Sequence, residues 1–371
     1  MPADATRNQP RIDFLKKLVS APGLSAYETP VRQLIEEAWR PLTDELSLSR
    51  LGSLHGLRRG TIPASWTGEG RRPSLLLAAH MDAIGLMVTG IVEGFLTITE
   101  VGGLDPRILP GQRVNVHTAN ENPARKDLPG VIVRPPEHLL PPDVRGKPTP
   151  IEYLLVDIGL TQRQVERRVR IGDLVSFAQL PIEFGEDYLA GHTLDNRVSV
   201  AALTHCLEQL QGRSLAWDVW AVATSQEEET MAGAFTSAFQ IRPTLAVAID
   251  VTFGDGPGSP GHKTFPLGKG ITLGWGPNIH PALHKAFAEL ADRLEIPWKL
   301  EAVPRMSGTD AYGLQMAAEG VPTMVIRIPL RYMHTPVEMV SLKDVARAGR
   351  LLAEFAAVLN EKSMHGMVWD A

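Results

Sequence analysis

Five apolar segments of this chain lead into imidazole or carboxylate side chains. The run LLLAAHMD ends in His80 and Asp82, LAVAIDVT ends in Asp250, and VIRIPLRYMHTP ends in His334. AGHTLDNR sets Asp195 just before a helical pattern, and AVATSQEEE closes on Glu227, Glu228 and Glu229. Taken singly, each has an ordinary explanation. Asp195 reads as a helix N-cap, His80 and His334 as satisfied core histidines, and the three glutamates as a solvated turn favouring the next helix's N-terminus. Taken together they do not, because buried like charges repel and lose hydration. No Lys or Arg cluster accompanies them in the sequence. Divalent metal would supply the missing positive charge.

Two histidines with three or more carboxylates suit zinc, cobalt or manganese better than calcium, which prefers oxygen alone. That set exceeds one tetrahedral site, so two cations sharing a carboxylate is the economical arrangement. Such a pair lowers the pKa of a water held between its members and polarises a carbonyl. Of the glutamates, one would be a ligand and a neighbour the general base. Asp82, two residues beyond His80, is placed to orient the imidazole from behind.

In an open α/β sheet, ligands gather beyond the carboxyl ends of the strands. The elements needed for that are readable. Residues 11–40 read as two helices split by SAPGLSAYETP. From Tyr188 onward, strand patterns alternate with helical ones, which implies an α/β sheet with helices on both faces. Between them the texture changes to FLTITEVG, RVNVHTA, GVIVRP, YLLVDIG and DLVSFAQ, short alternating segments separated by Gly, Pro and Asn, with TQRQVERRV the one good helix candidate. The expected division is a catalytic α/β domain over 1–87 and 183–371, interrupted by a small β-rich domain over 88–182. The exposed strand edges of such an insertion want covering, which points to a homo-oligomer.

Bulk properties exclude several classes. The 371 residues are 44% hydrophobic and 21% charged, as expected of a soluble globular protein. A net charge of −5 is too mild for nucleic acid or an anionic membrane to be the main partner. No apolar run approaches the roughly 18 residues of a transmembrane helix, and MPADATRNQPRIDFL lacks the apolar core of a signal peptide. The single cysteine, Cys206, excludes an internal disulfide framework and fits a reducing compartment, so a cytoplasmic location is expected. Its setting, VSVAALTHCLEQL, reads as an amphipathic helix carrying a structural thiol rather than a nucleophile.

The chain resembles the M42 family of metallo-aminopeptidases, the glutamyl-aminopeptidase and tetrahedral-aminopeptidase group also labelled endoglucanase or cellulase M. The resemblance is carried by the order and spacing of PGLSAYE, AAHMDAIGLMV, GGLDPRILPGQRV, LDNRVS, QEEE, AIDVT, LGKG, SGTDA and GVPTMVIRIPLRYMHTPVE. It implies a zinc-peptidase-like fold with a mixed central sheet flanked by helices. It also implies two divalent cations per subunit (zinc or cobalt, with manganese a third option), peptide substrates trimmed from the amino terminus, and dimers assembling as far as a dodecamer. Carried over residue by residue, one cation site resembles His80, Asp195 and Asp250, and the other Asp195, Glu228 and His334, with Asp195 shared. Glu227 matches the family's general base, and Asp82 the carboxylate behind the first histidine.

Glu229 departs from the pattern. It stands where relatives carry a small or apolar residue, and ETMAGA replaces VGLRGA, so the family's arginine there has no counterpart. A rival enzyme reading keeps the metals but acts as an amidohydrolase or deacylase on acylamino substrates. A non-catalytic assembly protein would show a damaged constellation, and here every matching position is intact. Polysaccharide hydrolysis would need two carboxylates flanking a sugar and has no use for the histidines.

Overall fold

The computed structural model describes residues 12–67, 70–118, 127–261 and 263–364. The four most apolar runs form the strands Asp218–Thr224, Ser74–His80, Leu245–Phe253 and Thr323–Arg331, which lie side by side in that order and parallel. They are buried along nearly their whole length, which is why their sequences run apolar instead of alternating. Parallel pairing puts their carboxyl ends on one rim. Thr224 lies opposite His80, and Asp250 lies opposite Arg327.

Further strands make the sheet mixed, with eleven strands among the described residues. The hairpin Glu45–Leu48 and Leu54–Arg58 joins antiparallel beside Asp218–Thr224. On the other flank, Glu338–Ser341, Tyr188–Gly191 and Ile182–Phe184 follow in antiparallel pairs. Ile271–Trp275 branches off Thr323–Arg331 and pairs in turn with Trp298–Ala302. Helix Leu194–Gln209 packs on Ser74–His80 and Leu245–Phe253, with the final helix Leu342–Val358 against it. Enclosed in this way, Leu194–Gln209 is buried from Leu194 through Leu207 and has no solvated face. The amphipathic pattern expected around Cys206 is therefore absent, although the thiol is buried and its pKa is driven up by that burial.

The β-rich insertion is a closed antiparallel barrel of Gly85–Val92, Phe95–Val101, Leu155–Asp157, Leu128–Val133, Arg113–His117 and Leu174–Phe177. Leu86, Val88, Leu96, Ile98, Val114, Val116, Ile132, Val156 and Val175 fill it. Closure corrects one expectation: these strands leave no free edge to be covered, because the first pairs with the last. The barrel also lies slightly toward the N-terminus of the 88–182 segment. Its first strand begins at Gly85, and Ile182–Phe184 already pairs in the large sheet. Apolar residues continue across the turn after His80, so composition does not change where the domain does. Among the described residues, no helix is long and apolar enough to cross a membrane.

Candidate metal centre

His80 is the last residue of its strand and is 2% exposed. Its Nε2 faces three carboxylates: Asp195 Oδ1 at 3.3 Å, Glu227 Oε2 at 3.8 Å and Asp250 Oδ1 at 3.9 Å. The other oxygen of Asp195, Oδ2, lies 3.4 Å from His334 Nε2, which is also 3.5 Å from Glu228 Oε2. One carboxylate thus spans two imidazoles from different elements. Local backbone geometry delivers each group. Two residues past the strand end at Thr224, Gln226 takes a left-handed φ of 58° and starts the single turn Glu227–Thr230. His334 takes a left-handed φ of 61°. Asp195 sits in a non-helical first turn, joined to Asn196 by a cis peptide bond. The Asn196 side-chain amide donates to the Ile249 carbonyl at 2.8 Å, tying that turn to the strand carrying Asp250.

Asp82 lies just beyond the strand and works on two groups at once. Its Oδ1 is 3.4 Å from His80 Nδ1, while its carboxylate accepts the backbone N–H of Glu227 at 3.1 Å and of Glu228 at 3.2 Å. Sequence reasoning missed three supporting residues. Glu338 accepts the N–H groups of Asp195 at 3.0 Å and His334 at 2.9 Å. Glu28 accepts those of Ala26 at 2.8 Å and Gln226 at 3.0 Å. The third is Arg197, fully buried, whose guanidinium donates to the carbonyls of Leu18, Ala21, Gly23 and Met81. Burial lowers its pKa to about 9, against the opposing pull of Asp82, Glu338 and Glu28. Arg197 is one isolated basic residue and not the Lys or Arg cluster that the sequence lacks. Even with Arg327, which lies opposite Asp250 and opposes its rise, the guanidinium charge falls far short of balancing the acids.

The electrostatics show the imbalance. Burial, reinforced by neighbouring acids, pushes Glu227 and Glu228 well above the carboxylate range. It takes Asp250 up to about 7 and Glu338 up to about 8. Asp195 goes the other way. Burial opposes its charge, but hydrogen bonds to His334 and His80 hold its pKa low. Burial likewise resists protonation of His80, yet Glu227, Asp195 and Asp82 outweigh it and hold its pKa high. Protein groups alone therefore leave the cluster short of positive charge. Glu228 Oε1 is buried without a hydrogen-bond partner. Ligand atoms of His80, Glu227 and Asp250 lie within 4.8 Å of one another, as do those of His80, Asp195 and Glu228. Imidazole nitrogens beside carboxylate oxygens are a donor set for zinc, cobalt or manganese, and the residues fit such ions.

A cavity of about 600 Å³ opens over this cluster. The barrel reaches it through Gly102 and Gly103. Gly102, at a left-handed φ of 75°, donates its N–H to Glu229 Oε1 at 2.6 Å, so the unmatched third glutamate braces the site against the barrel. The Gly103 backbone carbonyl accepts from the His334 ring, and a Cβ at Gly103 would stand 3.3 Å from His334 Nδ1. Neighbouring groups have structural roles. Thr309 caps the helix Asp310–Gln315, and Arg331 pairs with Asp255 at 3.1 Å. His192 is buried, and burial with Arg197 lowers its pKa to about 3.

The family model described as M42 glutamyl aminopeptidase matches residues 60–351. The lysyl aminopeptidase of Pyrococcus furiosus is 35% identical over 337 residues, covering 90% of this chain and 93% of that protein. Among solved structures, the TET aminopeptidase of the marine sediment archaeon Thaumarchaeota archaeon SCGC AB-539-E09 aligns with a TM-score of 0.88. It is 30% identical and covers 96% of this chain and 99% of that one. The TET1 peptidase of Pyrococcus horikoshii aligns with a TM-score of 0.80 at 28% identity, covering 94% and 99%. With the family model matching residues 60–351 and the fold shared over 96% of the chain, the chain belongs to the M42 glutamyl aminopeptidase family.

Proposed function

We propose that the protein is a dinuclear metal-dependent aminopeptidase that removes amino-terminal residues from peptides. The observation that carries this reading is the Asp195 carboxylate, whose two oxygens face His80 and His334 at 3.3 and 3.4 Å. His80, Asp195 and Asp250 would hold one cation, and Asp195, Glu228 and His334 the other, with zinc or cobalt preferred and manganese a third option. When bound, such ions supply Lewis acidity that polarises a carbonyl and makes water a nucleophile near neutral pH. Glu227, buried at the cavity floor, takes a proton from the attacking water and returns it to the leaving amine. Asp82 positions both partners, holding the rear of the His80 ring and the backbone of Glu227. A cavity lined by Glu227, Glu228 and Glu229 attracts the α-ammonium of a free amino terminus, which an N-acylated substrate lacks.

The P. horikoshii TET1 peptidase assembles into a tetrahedron or a large octahedral shell. We read this chain likewise as a homo-oligomer built from dimers and reaching a dodecamer, with the 88–182 segment contributing outer barrel surface to the contacts. The lone buried thiol fits a reducing compartment such as the cytoplasm. The test is to strip the protein with chelator, reload it with zinc, cobalt or manganese, and assay aminoacyl substrates beside their N-acetylated counterparts. Activity should disappear, return with metal, and be confined to free amines. Full activity in rigorously metal-free protein, or faster cleavage of the acetylated series, would sink the reading.

A further inference from the structure

The cavity combines an acidic floor with walls of Met231, Phe235, Phe253, Met306, Tyr312 and Met333. Phe235, from helix Ala232–Ile241, meets Tyr312 edge to face with ring centroids 5.9 Å apart, so part of this wall is braced by aromatic packing. Methionine lets the remainder adapt to irregular apolar shapes. At the mouth, Phe253 and Met306 are 60% and 56% exposed, large apolar surface turned toward solvent beside the site.

The cavity's charged groups outside the floor are engaged mainly with one another. Glu301 accepts Arg327 Nη1 at 2.7 Å, Thr252 Oγ1 at 2.8 Å and Thr272 Oγ1 at 2.6 Å, which occupies both of its oxygens. Arg327 also donates to the Ser307 carbonyl at 2.6 Å. Among the described residues lining the walls, no buried carboxylate is left to receive a lysine side chain, and the buried Arg327 is held by Glu301 and Ser307 through both terminal nitrogens, with only its Nε unpartnered. Glu229 is exposed at the rim and already accepts the Gly102 N–H.

We infer that the pocket selects peptides whose amino-terminal side chain is uncharged and apolar, of the size of leucine, methionine or phenylalanine. This rests on the aminopeptidase reading and names its substrate class. A lysine would surrender hydration without a buried partner, and a glutamate would meet the acids of the floor. A leucine loses only contact with water.

The experiment is a panel of aminoacyl substrates with one common leaving group, assayed on metal-reloaded protein. Leu, Met and Phe substrates should exceed Lys and Glu substrates in kcat/KM by about tenfold or more. Met306→Glu, a change at an exposed position, should shift the Lys-to-Leu ratio toward Lys, and Phe235→Ala should lower Leu and Phe relative to Ala. A Lys or Glu substrate cleaved as fast as Leu, or a ratio unmoved by Met306→Glu, overturns this inference and leaves the aminopeptidase reading standing. Failure of the metal-loaded protein to cleave any free-amine substrate overturns both.

Discussion

Strand Ser74–His80 of the large sheet is buried from end to end, whereas Gly85–Val92, a short turn later in the barrel, mixes buried and exposed positions. A strand covered on both faces tolerates a charged side chain only near its end or beside a partner charge, as Asp250 beside Arg327, so the large sheet concentrates its candidate ligands toward one rim. A barrel strand turns one face to solvent and carries polar residues along its length. The two regions accordingly serve the site in different ways. The sheet and the turns at its rim supply every candidate ligand, and the barrel side supplies backbone, through the Gly102 N–H on Glu229 and the Gly103 carbonyl facing the His334 ring.

The largest expected effect lies on the sheet side. Glu227→Gln should lower turnover by roughly 10²–10⁴-fold with metal content unchanged, because an amide keeps the shape but cannot take the proton. Glu228→Gln should instead lose metal. Elemental analysis beside turnover for both variants separates the roles, and the reverse pattern would mean that the pair is misassigned.

Burial in the sheet also makes stability pH-dependent. His55 hydrogen-bonds Ser237 Oγ at 2.8 Å, and burial lowers its pKa from 6.5 to about 4. The unfolded chain therefore binds the proton first as pH falls. The stability contributed by the neutral ring is full above pH 6.5 and is lost on descending toward pH 4, by about 3 kcal/mol. Thermal melts across this range should fall more steeply for wild type than for His55→Gln. Parallel slopes would remove His55 as the cause.

Smaller effects sharpen the contrast between regions. Glu338→Gln, which can no longer accept from both Asp195 and His334, should weaken metal affinity by about 10–100-fold in a competition titration. Gly103→Ala presses on His334 from the barrel side and should weaken affinity by about a few-fold, within the range of outer contacts to metal ligands. Val92→Ser, on the barrel's exposed face, should leave affinity unchanged. Equal effects from the two barrel substitutions would dissolve the distinction between backbone and side-chain contributions.

What was legible in the sequence follows the same division. His80, Asp82, Asp250 and the glutamate triplet announce themselves because each interrupts or ends an apolar run, and the structure brings them together with Asp195 and His334. The alternating segments of the insertion signal a β-rich unit, but local pattern says nothing about whether the strands close on themselves. Glu338 was hidden in TPVEMVSL, where one acid in a short strand looks solvated, and its burial depends on the neighbouring strand Tyr188–Gly191. Arg197 in LDNRVSV looks like an ordinary helix-surface residue; only the packing of the first helix, Ile12–Ser20, and its following turn gives the guanidinium three carbonyls, with a fourth from Met81 just past strand Ser74–His80. Gly102 and Gly103 read as a turn, and the approach of one domain to another leaves no periodic trace in a chain.

The central claim is that Asp195 is shared between two cations. Anomalous diffraction from crystals of zinc- or cobalt-loaded protein tests it most directly. Two peaks per subunit are expected, one among His80, Asp195 and Asp250 and the other among Asp195, Glu228 and His334. A single peak, or peaks that leave Asp195 out of contact with either ion, would contradict the account.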